Sequence, residues 1–427
     1  MPFILASSSA GTGIRYTVAA ADSLLIPSYA TVFSSDSIGV SVTGAGSSVF
    51  VQGTVAGTTG ISTGNTAILN GVFVHVVAGA SVFGSDNGIL AVGSQSYFLN
   101  EGTISGGSPY SNGMRLGVLS NSATGASGTM LLVNRGTISG AYAIDWASSG
   151  SGSTLTLINS GTLTGTLGAI RAPTLTATVL RNSGEIIGDV TLSSMGDIFD
   201  TRNGSVQGTV FGIDGNDVFI GNANSAEIFN GGAGVDVLDF RNGGSVIVAL
   251  DLSRPNSGQA LGDQYFQFEN IFGSQQNDIL TGDNTNNVLT GEDGNDWLHG
   301  RGGNDILRGG LGADTLAGGI GNDNFQFLNP NEGGDTIMDF ANVGGNNDFF
   351  HVSAAGFGGG LAAGWLAAAA FQAGTGNVAS SASVRFIHDT ATNTVWYDAD
   401  GNGAGAAVLL ATLQTTVTLT NLDFLVF

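Results

Sequence analysis

Cysteine and lysine are both missing from the 427 residues, and all 11 basic residues are arginine. Disulfides and thiolate metal sites are therefore excluded, and an extracellular protein of this composition must be stabilised in another way. Proline is scarce at 6, and no apolar run approaches the length of a membrane-spanning helix, so no membrane insertion is expected. Positive charge is short as well: 11 Arg face 33 Asp and Glu, a net charge of −22. Such a field repels phosphate backbones and attracts cations, so nucleic acid is not an expected partner. The opening Met1-Pro2-Phe3-Ile4-Leu5-Ala6 has no basic start and too short an apolar stretch for a secretory signal, so an export address is expected elsewhere.

Glycine is what the chain has in excess, 70 residues, beside a hydrophobic fraction of 42% that is too high for a disordered chain. Acid is distributed unevenly. Residues 1–200 hold 9 acids and 5 Arg, whereas residues 201–427 hold 24 acids and 6 Arg. Each part has its own repeat.

In the first part a phrase built on Asn-x-Gly-Thr-Ile-Ser-Gly recurs at residues 100–106, 134–140, 159–165 and 182–188, with looser relatives at 51–57 and 203–208. Between these lie strand-like runs such as Thr154-Leu155-Thr156-Leu157-Ile158 and Val72-Phe73-Val74-His75-Val76-Val77. Unequal spacing around one recurring turn is what a parallel β-helix produces, because coils must stack while loops vary in length. Asn and Gly at the turn both tolerate positive φ, and stacked Asn side chains can hydrogen-bond from coil to coil. The phrase resembles the passenger repeats of secreted bacterial β-helical proteins, including autotransporters and adhesins.

In the second part the period is nine. Residues 273–326 form six nonapeptides: GSQQNDILT, GDNTNNVLT, GEDGNDWLH, GRGGNDILR, GGLGADTLA and GGIGNDNFQ. Position 1 is always Gly, position 8 is Leu or Phe, and position 6 is Asp278, Asn287, Asp296, Asp305, Asp314 and Asp323. Gly at positions 1, 2 and 4 lets the loop turn carbonyls toward a common point, to which position 6 adds a carboxylate. An oxygen-only donor set of this kind suits a hard cation, calcium before magnesium. Two nonapeptides make one coil, so Asp278, Asp296 and Asp314 should stack on one side and Asn287, Asp305 and Asp323 on the other. Gly294, Gly303, Gly312 and Gly321 complete position 4 in the last four copies, whereas Gln276 and Thr285 hold it in the first two, where weaker or absent ions are expected. Asp214, Asp217 and Asp236 repeat the theme upstream.

The array resembles the RTX repeat of calcium-binding bacterial exoproteins, which implies several bound Ca2+ ions. By the same resemblance, 241–272 is a hairpin-bearing insertion and Gly334 to Phe340 closes the roll, with Asp335 and Asp339 as last ligands. The segments around Val384 to Asp389, Val395 to Gly401 and Asp423 to Phe427 resemble the C-terminal region of RTX exoproteins such as serralysin-like proteases, which carries an uncleaved signal for type I secretion. Asp398 and Asp400 are candidate ligands of a further ion, with an Asp-rich turn as the alternative. Residues 361–371, rich in alanine, are the one expected helix.

The expected fold is all-β: a parallel β-helix over 1–208, an RTX β-roll over 209–340 and a small β-rich C-terminal cap over 341–427. No enzyme is expected. The four His, at 75, 299, 351 and 388, form no His-Glu-x-x-His. The single Gly-x-Ser-x-Gly, at residues 60–64, is what this glycine content yields by chance. A polysaccharide lyase or epimerase would need a base beside an anion-stabilising cluster, for which Asp145 and Arg171 are the only candidates. The resemblance to RTX surface-layer and matrix proteins implies a secreted, calcium-dependent structural protein at the cell surface, assembling with itself into a homopolymer. A calcium-stabilised adhesin is the alternative, with cell-surface polysaccharide as its partner. The type I secretion machinery is a partner by the same resemblance. The apolar start, Phe3-Ile4-Leu5, offers an uncapped strand edge for self-assembly.

Overall fold

The computed structural model describes residues 3–63, 69–93, 95–107, 109–117, 129–146, 154–172, 177–222 and 225–427. It is 52% strand and 3% helix, arranged in long parallel sheets as a parallel β-helix and an RTX β-roll. The chain divides into two compact units, residues 1–236 with 265–267, and residues 237–264 with 268–427. No helix among the described residues is long and apolar enough to cross a membrane.

In the first unit the described coils stack into two parallel sheets, the second of which takes two strand segments from several coils, such as Thr31–Ser34 with Ile38–Val42 and Thr103–Gly106 with Asn112–Gly117. One sheet runs through Phe3–Leu5, Ser23–Ile26, Ser48–Val51, Phe73–Val76, Ser96–Asn100, Thr129–Asn134, Thr154–Asn159, Ala177–Asn182 and Ile198–Asp200. Alternate residues point inward, as the two-residue period of a strand requires. Val74, Phe98, Leu132, Leu157 and Leu180 are therefore buried, and each such side chain contributes roughly 1.5–3 kcal/mol. The second sheet carries the recurring Thr-Ile-Ser phrase. Its outward positions form a hydroxyl column in register, Thr31–Thr54–Ser81–Thr103–Thr137–Thr162. The outward positions of the first sheet mix apolar and polar side chains: Leu25 stands beside Phe50, Phe73 beside Tyr97, Tyr97 beside Leu131, and Leu99 beside Val133, while Ser23, Ser48, His75, Thr156 and Arg181 also face outward.

The four recurring asparagines stack in register despite their unequal spacing. Asn100, Asn134 and Asn159 are completely buried. Each Nδ2 donates to the Oδ1 of the next, over 2.8 Å from Asn100 to Asn134, 2.7 Å from Asn134 to Asn159 and 2.7 Å from Asn159 to Asn182. The glycine two residues on needs space, not the positive φ that the turn suggests. A Cβ on Gly136 or Gly161 would strike the carbonyl of the preceding coil's glycine, while neither residue has positive φ.

In the second unit, position 8 of all six nonapeptides (Leu280, Leu289, Leu298, Leu307, Leu316 and Phe325) is fully buried. Successive copies alternate between two parallel sheets. Ile279–Thr281, Trp297–Gly302 and Thr315–Ile320 lie on one, and Val288–Asp293, Ile306–Leu311 and Asn324–Phe327 on the other. Val246–Ala249 turns back antiparallel on Ser257–Gly258 and joins Ile279–Thr281 in parallel. At the far end Phe424–Val426 runs parallel to Phe349–Val352, with Phe424 stacked on Phe350 at 4.9 Å.

The helix expected over 361–371 does not form. That stretch holds a short strand, Gly364–Trp365, and one 3-10 turn, Ala368–Ala370, while the single α-helical turn among the described residues is Ala354–Phe357. Gly364 interrupts the run at φ 109, and the exposed alanines offer no apolar stripe to stabilise a helix this short.

The asparagine ladder should show directly in stability. Asn159→Ala removes the acceptor of Asn134 Nδ2 and the donor to Asn182 Oδ1 from a buried column, and should cost about 2 kcal/mol. Thr156→Ala on the outer face should stay within about 0.5 kcal/mol. Urea unfolding of the calcium-loaded protein measures both.

Candidate metal centre

The eighteen-residue stacking places the position 6 side chains in two columns. In one, Asp278 N–H donates to Asp296 Oδ1 over 2.8 Å, Asp296 N–H to Asp314 Oδ1 over 2.8 Å, and Asp314 N–H to Asp335 Oδ1 over 3.0 Å. In the other, Asn287 N–H donates to Asp305 over 2.7 Å, Asp305 N–H to Asp323 over 2.8 Å, and Asp323 N–H to Asp348 over 3.0 Å. The first unit holds a shorter ladder, in which Asp197 N–H donates to Asp217 over 2.7 Å and Asp217 N–H to Asp236 over 2.8 Å. All of these side chains are buried.

Each rung therefore spends one carboxylate oxygen on a backbone amide. The second oxygen separates the rungs into two kinds. Oδ2 of Asp217, Asp296, Asp305, Asp314, Asp323 and Asp335 is buried with no hydrogen-bond partner. A lone buried anion of this sort is too costly to stand without a counter-charge. The first rung of each ladder, and Asp348 at the end of one, are satisfied differently. Asp278 takes hydrogen bonds from the Ser274 amide and hydroxyl, and Asp197 is held in the same way by Ser193. Asn287 accepts from Asp283 N–H and donates to the Glu269 carbonyl, and Asp348 also accepts from Ala341 N–H.

The unpaired oxygens point into a cradle that a side chain would fill. A Cβ on Gly291 would collide with Asp296 Oδ2 and lie 2.6 Å from the Gly309 carbonyl, and one on Gly300 would meet Asp305 Oδ2 and the Gly318 carbonyl in the same way. Gly212 stands in this relation to Asp217 and the Gly231 carbonyl. Position 4 has a steric reason as well: Gly312 and Gly321 adopt φ of 141° and 144°, and a Cβ there would strike the carbonyls of Gly294 and Gly303. Among the described residues no three His, Asp or Glu side chains converge on one point. The donors are instead one carboxylate and neighbouring carbonyls, which is oxygen-only chemistry suited to calcium.

Burial dominates the electrostatics of these groups and disfavours their charged forms. Asp296 and Asp335 are pushed up to about 8, Asp217 and Asp305 to about 7, and Asp314 and Asp323 to about 6. Neighbouring carboxylates of the same column add to the rise at Asp296, Asp305 and Asp217.

The other candidates fall elsewhere. Asp214 is exposed beside the ladder. Asp339 accepts the amides of Gly318 and Gly319, each over 2.9 Å, so it caps the turn of the last nonapeptide outside the two columns. Asp398 Oδ1 accepts the Asp400 amide over 3.2 Å. Asp145 is buried and takes Arg171 Nε at 2.9 Å and Asn112 Nδ2 at 3.2 Å, with Arg115 at 3.6 Å. Ser62 is fully buried in strand Thr54–Thr63, and Gly64 lies outside the described residues.

Sequence reasoning missed two features. Asp348 stands outside the nine-residue period, so no spacing pointed to it. Position 5 is a second ladder: Asn295 N–H donates to Asn277 Oδ1 over 2.9 Å, and Asn322 N–H to Asn304 Oδ1 over 2.8 Å. Its signal was in plain view, since Asn fills position 5 in five of the six copies.

Two outcomes follow. Without calcium the folded state holds protons on these carboxylates between about pH 4 and 8 that the unfolded chain has lost, so stability falls as pH rises. Melting in chelator should accordingly show more structure at pH 5 than at pH 8, and saturating calcium, which binds the ionised form, should reverse the order. Asp305→Asn should raise the calcium midpoint of folding about ten-fold, while Asp278→Asn, already satisfied by Ser274, should shift it by less than about three-fold.

The family model of the RTX calcium-binding nonapeptide repeat (4 copies) matches residues 268–298 and 290–325. A search of curated proteins finds no match to the chain. RTX repeats bind calcium and indicate a type I secreted protein. Residues 268–325 are thus an array of RTX calcium-binding nonapeptide repeats.

Proposed function

We propose that this protein is a secreted structural component that folds on calcium outside the cell and assembles there with copies of itself, as a surface layer, fibre or matrix. One observation carries the reading: interior carboxylates of the ladders keep an unpaired, buried oxygen beside backbone carbonyls. The ions would be held by Asp217 and Asp236 in the first unit. In the second, Asp296, Asp305, Asp314, Asp323 and Asp335 would hold them, with the loops at Gly294, Gly303, Gly312 and Gly321. Asp278, already satisfied by Ser274, would begin its column without an ion, and Asp339 would close the turn of the last nonapeptide beside the columns.

A cation that binds only the folded state stabilises it by mass action, and extracellular calcium supplies one at the concentrations such modules require. In the low calcium of a cytoplasm the 24 acids of residues 201–427 would keep that part open and threadable. The C-terminal apolar segment fits this order of events. Phe424 is fully buried on folding, so a secretion machinery could read it only in the unfolded chain.

Catalysis is not part of the proposal. Asp145, the candidate base, is occupied by Arg171, Arg115 and Asn112, which makes it an ion-paired rung of the coil stack.

Circular dichroism of the full chain should pass from coil toward β as calcium rises through the high-micromolar to millimolar range. Sedimentation should show assemblies that dissolve in chelator. A β spectrum for residues 201–427 that ignores chelator would refute the calcium dependence, and a calcium-loaded monomer at the highest soluble concentration would refute the assembly.

A further inference from the structure

We propose that the C-terminal region binds a small apolar carboxylic acid in a hollow whose one charged wall is Arg385. The inference goes beyond the structural reading above and does not depend on it. Residues 358–370 carry no charged, hydroxyl or amide side chain, yet most of them are exposed, Trp365 by 51%. Scattered apolar residues on a surface need no explanation, whereas a contiguous apolar stretch marks a place where something binds. This stretch borders a cavity of about 330 Å3, lined by Leu361, Ala363, Trp365, Leu366, Ala370 and Arg385. Among the described residues that line it, Arg385 alone is charged.

The hollow is held open by the chain around it. Gly358, Gly359 and Gly360 turn with φ of 67°, 63° and 76°, a left-handed run that glycine adopts at little cost. Trp365 lies antiparallel beside Leu425 and packs on Phe349 with ring centroids 5.1 Å apart. The Leu366 amide donates to the Phe424 carbonyl over 3.0 Å, and the Leu366 carbonyl accepts from Asn421 Nδ2 over 2.7 Å. The Arg385 amide donates to the Ala370 carbonyl over 2.8 Å. A ligand would enter a site that is already ordered, which limits the entropy lost on binding.

Arg385 sets the charge of the ligand. Arg241, Arg301 and Arg308 of the same unit each hold a carboxylate, at 2.7, 2.6 and 2.7 Å. Arg385 has no acidic partner among the described residues. Its Nε donates to the Gly359 carbonyl over 2.7 Å, and its Nη1 donates to the carbonyls of Ala382 and Val384, each over 2.8 Å. A guanidinium has five N–H donors, so these three bonds fix its plane and leave the two on Nη2 for an anion, which gains charge-assisted hydrogen bonds there. The hydrocarbon walls disfavour a bare sulfate or phosphate, whose other oxygens would be desolvated without partners. A carboxylate with an apolar tail satisfies both parts of the site. The volume lies near the lower end for ligand pockets, so the tail is short. A lipid surface is the poorer occupant, because a molecule of net charge −22 is repelled by the anionic headgroups that a lone arginine would otherwise attract.

The test titrates the full calcium-loaded chain with octanoate in a calorimeter. One equivalent should bind with a dissociation constant of about 0.1 mM. Acetate, which lacks the tail, and octanol, which lacks the charge, should each bind about ten-fold more weakly or worse. Arg385→Gln should weaken octanoate about ten-fold and leave octanol unchanged, with the β spectrum retained. Should that variant not fold, since Arg385 also ties three carbonyls, Ala363→Phe decides: it fills the hollow from an exposed position and should remove octanoate binding with Arg385 still in place. Equal binding of octanoate and octanol by wild type overturns the proposal, as does the absence of octanoate binding up to about 2 mM. Binding to phosphatidylcholine vesicles without binding of free octanoate overturns it too, and makes the stretch a lipid contact.

Discussion

A carboxylate buried among apolar coils costs several kcal/mol, and a column of them adds mutual repulsion to each desolvation penalty. Every rung from Asp296 to Asp323 faces that constraint, because the backbone amide of the preceding coil satisfies only one oxygen of each side chain. The rest of the second unit is arranged around the other oxygen. Position 1 is glycine so that carboxylate and carbonyl can share one space, and position 4 is glycine so that the carbonyl of the adjoining coil can approach. A cation satisfies both donors in one step.

The first unit meets the same geometry with different chemistry. An amide side chain both donates and accepts, so Asn100, Asn134, Asn159 and Asn182 close a buried column among themselves without net charge. The chain thus contains a ladder complete in itself and ladders with oxygens left for an ion. The boundary rungs show how the second kind is ended: Ser274 and Ser193 bring an amide and a hydroxyl to Asp278 and Asp197 in place of a metal. On the proposed reading, calcium dependence would be confined to these rungs.

Much of this was legible in the sequence because both columns are periodic. Asn every coil and Asp every eighteen residues declared the stacking, and the buried Leu of position 8 declared the core. Features set by one local contact were not legible. Asp348 joins its column by structure alone, twenty-five residues beyond Asp323. Asp339 shares the acidic segment of Asp335 but turns to the amides of Gly318 and Gly319. The alanine run at 361–371 had helix composition yet no face to bury, and became strand and turn. Position 2 tolerated Glu292 and Arg301 at φ of 79° and 81°, a left-handed backbone that composition alone would assign to glycine.

Hydrogen–deuterium exchange across the full chain, with calcium and then with chelator, tests the central claim most directly. The account predicts that amides of the Asp columns, from residue 288 to 340, lose protection together when calcium is removed, while those of the Asn ladder, from residue 129 to 187, keep theirs. Equal protection of the Asp columns in both conditions would contradict it.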